Sequence, residues 1–256
     1  MIKDLVILLF SNLIILSLGW ITASLFIQKK CFGERMAISI PLGFGITSFI
    51  LFFIYSIPFQ FGQWGNLFVL IVIAMILIIG KMLLYRREKP ILIMATYPDF
   101  NQFFRGKLIG HWLILISLFF VSLVFSIYFP TITPDGFAYE YLAKLLAYTK
   151  EMPLYYLEAR PFRTPITSLL HSFFYFFNSI YPKIIYPLFY LSIILFTYFK
   201  IKERVEGDRH YAMIFSLILA TTPVFWWRSY LTLDNLVAAC YFYFGVIYWY
   251  ETLESE

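Results

Sequence analysis

An all-helical, multi-pass membrane protein is the fold class this sequence predicts, and three observations predict it. Hydrophobic residues make up 61% of the 256 positions and charged residues 14%, more apolar surface than a soluble chain of this length can hide. The apolar residues fall in runs of about one bilayer thickness of helix, at 1.5 Å per residue. Phenylalanine (30) and tyrosine (20) are abundant, which suits helices whose ends lie among lipid headgroups.

The first run, residues 5–27, is too long for a signal-peptide core and lacks a cleavage site, so it reads as an uncleaved span. A short basic loop (28–35) leads to a second span, 36–57, with Gly43 and Gly45 as close-packing points. The uncharged loop 58–66 precedes a third span, 67–84. A basic connector (86–108) carries one apolar interruption at 91–95, too short to cross, and the fourth span is 108–129.

Residues 164–180 could cross by length, but their pattern is amphipathic. Ile166, Leu169, Leu170, Phe173, Phe174, Phe177 and Ile180 share one helical face, and Ser168, His171, Ser172, Tyr175 and Ser179 the other. That predicts a helix lying in the interface, with its polar face toward water or headgroups. Spans at 183–199, 211–227 and 235–250 follow, joined by the charged loop 200–210 and the polar connection 228–234. The chain divides into three spans with a basic connector (1–108) and a second unit (109–256).

The placement of Lys and Arg sets the expected topology. If 164–180 does not cross, 13 of the 20 basic residues are cytoplasmic, and if it crosses the split is 11 to 9. The sequence therefore predicts seven spans with the N-terminus outside. Asp135 and Asp234 then share the extracytoplasmic face. Cytoplasmic loops account for the net charge of +5 without a nucleic-acid partner. Cys31 falls in a cytoplasmic loop and Cys240 inside a span, so no disulfide is expected.

Chemistry is expected in the segment from Phe129 to Arg163, the long mixed-polarity stretch between membrane-grade sequences. Asp135 precedes a helical pattern, and its structural role would be an N-cap. Its functional role would be a general base at the membrane boundary. Asp234 invites the same structural reading for the last span, with Arg228 as the nearest charge partner. Arg160 and Arg163 either snorkel toward headgroups or grip a phosphate, for which a guanidinium fork is well shaped. His171 is read as facing water or headgroups. Tyr139 is a belt or packing residue whose ring could also hold a sugar, and Glu140 completes the charged set. Nucleotide-binding loops, zinc spacings and Ser/His/Asp arrangements do not occur. No cofactor is implied; a divalent metal is left open, though no ligand spacing indicates one.

An apolar helix running into Asp135-x-x-x-Tyr139 resembles the GT-C superfamily of membrane glycosyltransferases. So does the aromatic helix entered through Arg160-Pro-Phe-Arg-Thr-Pro-Ile-Thr-Ser-Leu-Leu-His171. The stretch from Ala220 to Asn235 is similar to the region of the second acidic residue in protein O-mannosyltransferases and aminoarabinose-type transferases. The resemblance covers roughly 109–250. It implies juxtamembrane helices in the first external loop and a polyprenyl-phosphate sugar donor. The acceptor would be a glycan, lipid or protein. It further implies Asp135 as base, Asp234 as the acid of the next external loop, and Tyr139, Glu140, Arg160, Arg163, His171 and Arg228 as substrate contacts. The entry motif departs from the family's His/Lys-Pro-Pro by reading Arg163-Thr-Pro165. Four spans of the module are present where the family has seven or more, so a missing C-terminal region or a partner subunit is implied. The rival expectation is a non-catalytic scaffold or accessory subunit with the same fold. A transporter ranks below both, because the spans carry almost no mid-bilayer charge.

Overall fold

The computed structural model describes residues 2–26, 31–56, 63–85, 108–150, 166–176, 181–205, 208–232 and 234–255. These residues are helical almost throughout, and no strand occurs among them. In chain order the helices are α1 (Ile2–Phe26), α2 (Phe32–Ser56), α3 (Gln63–Tyr85), α4 (Ile109–Tyr128), α5 (Pro134–Thr149) and α6 (Ile166–Phe176). A 3-10 turn (Pro182–Ile184) then leads into α7 (Ile185–Arg204), followed by α8 (Arg209–Thr221), α9 (Pro223–Arg228) and α10 (Asp234–Ser255). Among the described residues, four segments are long and apolar enough to cross a membrane: Leu8–Leu25, Phe32–Ser56, Ile109–Tyr128 and Pro182–Arg204.

Helix α7 is the central post, packed against α2, α4, α8 and α10. Tyr186, Phe189, Tyr190, Phe196 and Tyr198 along it are closed off from the surface. The α2 proline explains how its neighbours dock. Pro41 has no N–H to offer the Ala37 carbonyl one turn earlier, and a carbonyl left unpaired in an apolar interior is costly. Ser192 of α7 fills that vacancy, its hydroxyl donating to Ala37 O at 2.6 Å. Tyr241 of α10 donates to the Pro41 carbonyl itself at 2.7 Å. Helix α4, by contrast, turns Leu113, Ile114, Phe120, Val121 and Val124 outward, as a lipid-facing helix does.

Three expectations need correction. Helix α6 is 11 residues, about 16 Å and too short to cross, but it is not a surface helix with a wet polar side. It is wedged between α5, α2 and α10, and Ser168, His171 and Ser172 are fully buried. The apolar run 211–227 is two helices, because Pro223 restarts the chain at the first position of α9 after an extended Thr222. The α5 N-cap is Thr133, whose hydroxyl accepts from the Gly136 N–H at 3.0 Å, so Asp135 lies inside the first turn rather than capping it. The connector at 86–107 and the segment 151–165, with Arg160 and Arg163, lie outside the described residues.

Candidate functional site

Five chain segments converge at one end of the helices: the exit of α4, the start of α5, the 3-10 turn before α7, the residues after α9, and the start of α10. Aromatic packing closes one side, with Phe125 and Phe129 against Tyr230, and Trp226 against Phe125 and Tyr230. Ser122 of α4 pins the 229–232 segment, through Ser229 Oγ at 2.6 Å and the Ser229 carbonyl at 3.1 Å. Gly136 lets α5 touch that segment. A Cβ there would come within 2.9 Å of the Thr232 carbonyl, a contact only glycine leaves open.

This packing brings the acids together. The Tyr139 phenol, buried on α5, donates to Asp234 Oδ2 at 2.7 Å. Beside it, Glu140 Oε1 accepts hydrogen bonds from the hydroxyls of Thr131 and, at 3.5 Å, Thr232. Lys183 supplies a cation by donating to the Phe129 carbonyl where α4 ends, within electrostatic range of Glu140. Asp135 is exposed in the first turn of α5, where the helix dipole favours a negative charge. Asp135 and Asp234 thus occupy neighbouring helix starts.

The remaining expected contacts divide. Arg228 does not pair with Asp234; its guanidinium lies over the Trp227 ring at 5.4 Å. Tyr139 offers no free ring face, being buried and committed to Asp234. His171 sits behind the acids, its Nε2 hydrogen-bonded to the Tyr186 hydroxyl at 3.1 Å. Burial, reinforced by the positive charge of Lys183, pushes the imidazole down from 6.5 to about 3, so the ring is neutral. Its Nδ1, Thr167 Oγ1 and Ser168 Oγ have no hydrogen-bond partner among the described residues.

Thr131, Thr232, Lys183 and Tyr186 were not singled out from sequence. Each acts through a partner on another segment, from nine residues away for Thr131 to 92 for Thr232, and a lone threonine or a lysine after a proline carries no local signal. The described residues contain no group of three or more His, Cys, Asp or Glu placed to hold a metal ion. The arrangement offers carboxylates of differing exposure beside one ammonium, at the boundary of an apolar helix set. That suits proton removal from a hydroxyl next to a bound anion.

Comparison with known proteins finds no match: no family model, no curated protein and no solved structure is similar to this chain at a significant level.

Proposed function

We propose that the chain is a membrane glycosyltransferase that moves a sugar from a polyprenyl-phosphate donor to an extracytoplasmic acceptor hydroxyl. The observation that carries the reading is the Tyr139–Asp234 hydrogen bond, which sets the acid of one loop beside the helix start that bears the other. Asp135 takes the acceptor proton. The freed oxygen attacks the anomeric carbon, the bond from that carbon to the phosphate oxygen breaks, and polyprenyl phosphate leaves with inversion. Lys183, together with Arg160, Arg163 or Arg228, balances the charge that develops on the leaving phosphate.

The topology in this proposal has seven spans and an outside N-terminus. It adds α3, the α8–α9 pair and α10 to the four long apolar helices, and keeps the 13 basic residues inside. In a Cys31→Ser background, a cysteine at Phe137 reacts with an impermeant reagent added outside and one at Val205 does not; the reverse pattern refutes the topology.

Membranes carrying the protein, supplied with labelled polyprenyl-phosphate sugars, test the activity. Asp135→Asn lowers transfer by about 10²–10⁴-fold, the usual worth of general-base assistance. Transfer at the wild-type rate by that variant removes Asp135 from the role. A folded wild-type chain inert toward all such donors turns the reading to a scaffold.

A further inference from the structure

Behind the acids lies a second polar feature that the transfer reading does not use. Helix α6 turns Thr167, Ser168 and His171 into the protein, and all three are buried to within 1% of completely. Their spacing makes them neighbours on one helix, since His171 is one turn beyond both Thr167 and Ser168. Thr167 Oγ1, Ser168 Oγ and His171 Nδ1 have no hydrogen-bond partner among the described residues. Three such atoms on adjacent positions are unusual, because buried polar groups are almost always paired.

The histidine makes the case sharper. Tyr186 occupies only Nε2. If the phenol donates to Nε2, Nδ1 carries the proton and needs an acceptor; if Nε2 donates, Nδ1 needs a donor. The Thr and Ser hydroxyls can serve either way, and so can a group that bridges them. Tyr186 itself is the link to the front of the site, for the charges of Glu140 and Asp234 both act on its hydroxyl.

We propose that Thr167, Ser168 and His171 form a buried water-binding site on α6, and that the bound water fixes the imidazole that orients the Tyr186 hydroxyl behind Glu140 and Asp234. The occupant is neutral. A cation there would meet the charge of Lys183, which already acts on His171. An anion would be desolvated among hydroxyls and a neutral ring. Water donates and accepts, and with two to four polar partners it is retained in protein interiors. His171 is on this reading a positioning residue, and the proposal stands whether or not the chain transfers sugar.

The test uses the full chain in lipid bilayers, with the histidine rings labelled with ¹⁵N. The protein has three histidines, so His171→Asn assigns the ring signal by its loss. Solid-state NMR transfer of magnetisation from water to the His171 ring is expected in the wild type. In Thr167→Val/Ser168→Ala that transfer falls several-fold, whereas Thr167→Ser keeps it. The ring stays neutral from pH 7 down to pH 5 and holds a single tautomer, which Tyr186→Phe disturbs. A ring that receives no transfer in the wild type overturns the proposal, and this measurement is decisive even if the double variant does not fold. Transfer unchanged in a folded double variant, or titration of the ring near its ordinary value, also overturns it.

Discussion

Tyr139 and Asp234, 95 residues apart, meet through a 2.7 Å hydrogen bond in which the phenol donates to the carboxylate Oδ2. The bond ties the second turn of α5 to the first residue of α10 and so links the two acidic segments. A hydrogen bond to a charged group contributes about 1.5–3 kcal/mol, and the larger loss comes when one partner is left alone in a buried place. Tyr139→Phe is therefore expected to lower the unfolding free energy by about 1–3 kcal/mol. A double-mutant cycle with Asp234→Ala is expected to give a coupling of about 0.5–3 kcal/mol. Strict additivity in reversible unfolding would falsify the link.

The buried histidine predicts an acid sensitivity with a definite sign. His171 ionises near 6.5 when unfolded and is pushed down to about 3 in the fold by burial and by Lys183. Between those values the unfolded chain binds the extra proton, so stability falls as the pH drops, by up to about 1.4 kcal/mol per pH unit. Above pH 6.5 this contribution is complete and flat. Unfolding measured from pH 7 to pH 5 is expected to show the slope in the wild type and a shallower one in His171→Asn. Equal slopes in the two proteins count against the assignment.

Hydropathy runs located the helices well, because a span must be apolar over its whole length whatever it touches. Helices α1, α2 and α4 begin and end within a few residues of the runs that announced them. What the runs could not convey was depth and pairing. Over the described residues 166–176 the amphipathic pattern gave a true account of which residues share a face, yet Ser168, His171 and Ser172 on the polar side are buried, Ser172 against α2 and His171 against α7. Period alone does not distinguish a polar face that meets water from one that meets Tyr55 and Tyr186. The break at Thr222 was legible in Pro223 and was overridden by the apolar residues around it. By sequence Lys183 is only the flank of a span, and its placement near Glu140 depends on how α4 and α7 pack.

At the opposite end of α7, Lys200 is the hub of a second network. Its ammonium lies 2.7 Å from Glu34 of α2 and 2.5 Å from Glu251 of α10, over the ring of Tyr248, which itself donates to Glu34. The side chains of Lys200 and Glu34 are 7% and 3% exposed. Removing one partner of such a pair leaves a buried charge uncompensated, at a cost of about 3–5 kcal/mol. The loss should be asymmetric. Lys200→Met strands Glu34 and leaves two acids facing each other, while Glu34→Leu leaves Lys200 still paired with Glu251. Thermal unfolding in one bilayer or detergent is expected to rank Lys200→Met well below Glu34→Leu, and Lys200→Met/Glu34→Leu is expected to recover part of the loss. A Lys200→Met variant as stable as wild type shows the network to be inert.

The contact between α1 and α2 predicts where an added methyl group is harmful and where it is not. A Cβ on Gly19 would stand 1.8 Å from the Ser39 carbonyl oxygen, and one on Gly43 would stand 2.1 Å from that of Ile15. Both obstacles are backbone, so no side-chain rotation relieves them, and the helices must separate. Ser39 and Gly43 are one turn apart, the small-residue spacing that lets membrane helices approach closely. Gly110 and Gly245 lie in α4 and α10 with nothing within 4 Å of such a Cβ. Overpacking costs about 1–3 kcal/mol, whereas alanine in an unobstructed helix position is favoured over glycine by up to about 1 kcal/mol. Gly19→Ala and Gly43→Ala are therefore expected to destabilise the protein, and Gly110→Ala and Gly245→Ala to leave it unchanged or more stable. Unfolding midpoints measured side by side decide the matter, and Gly43→Ala matching Gly110→Ala would show that α1 and α2 do not pack this closely.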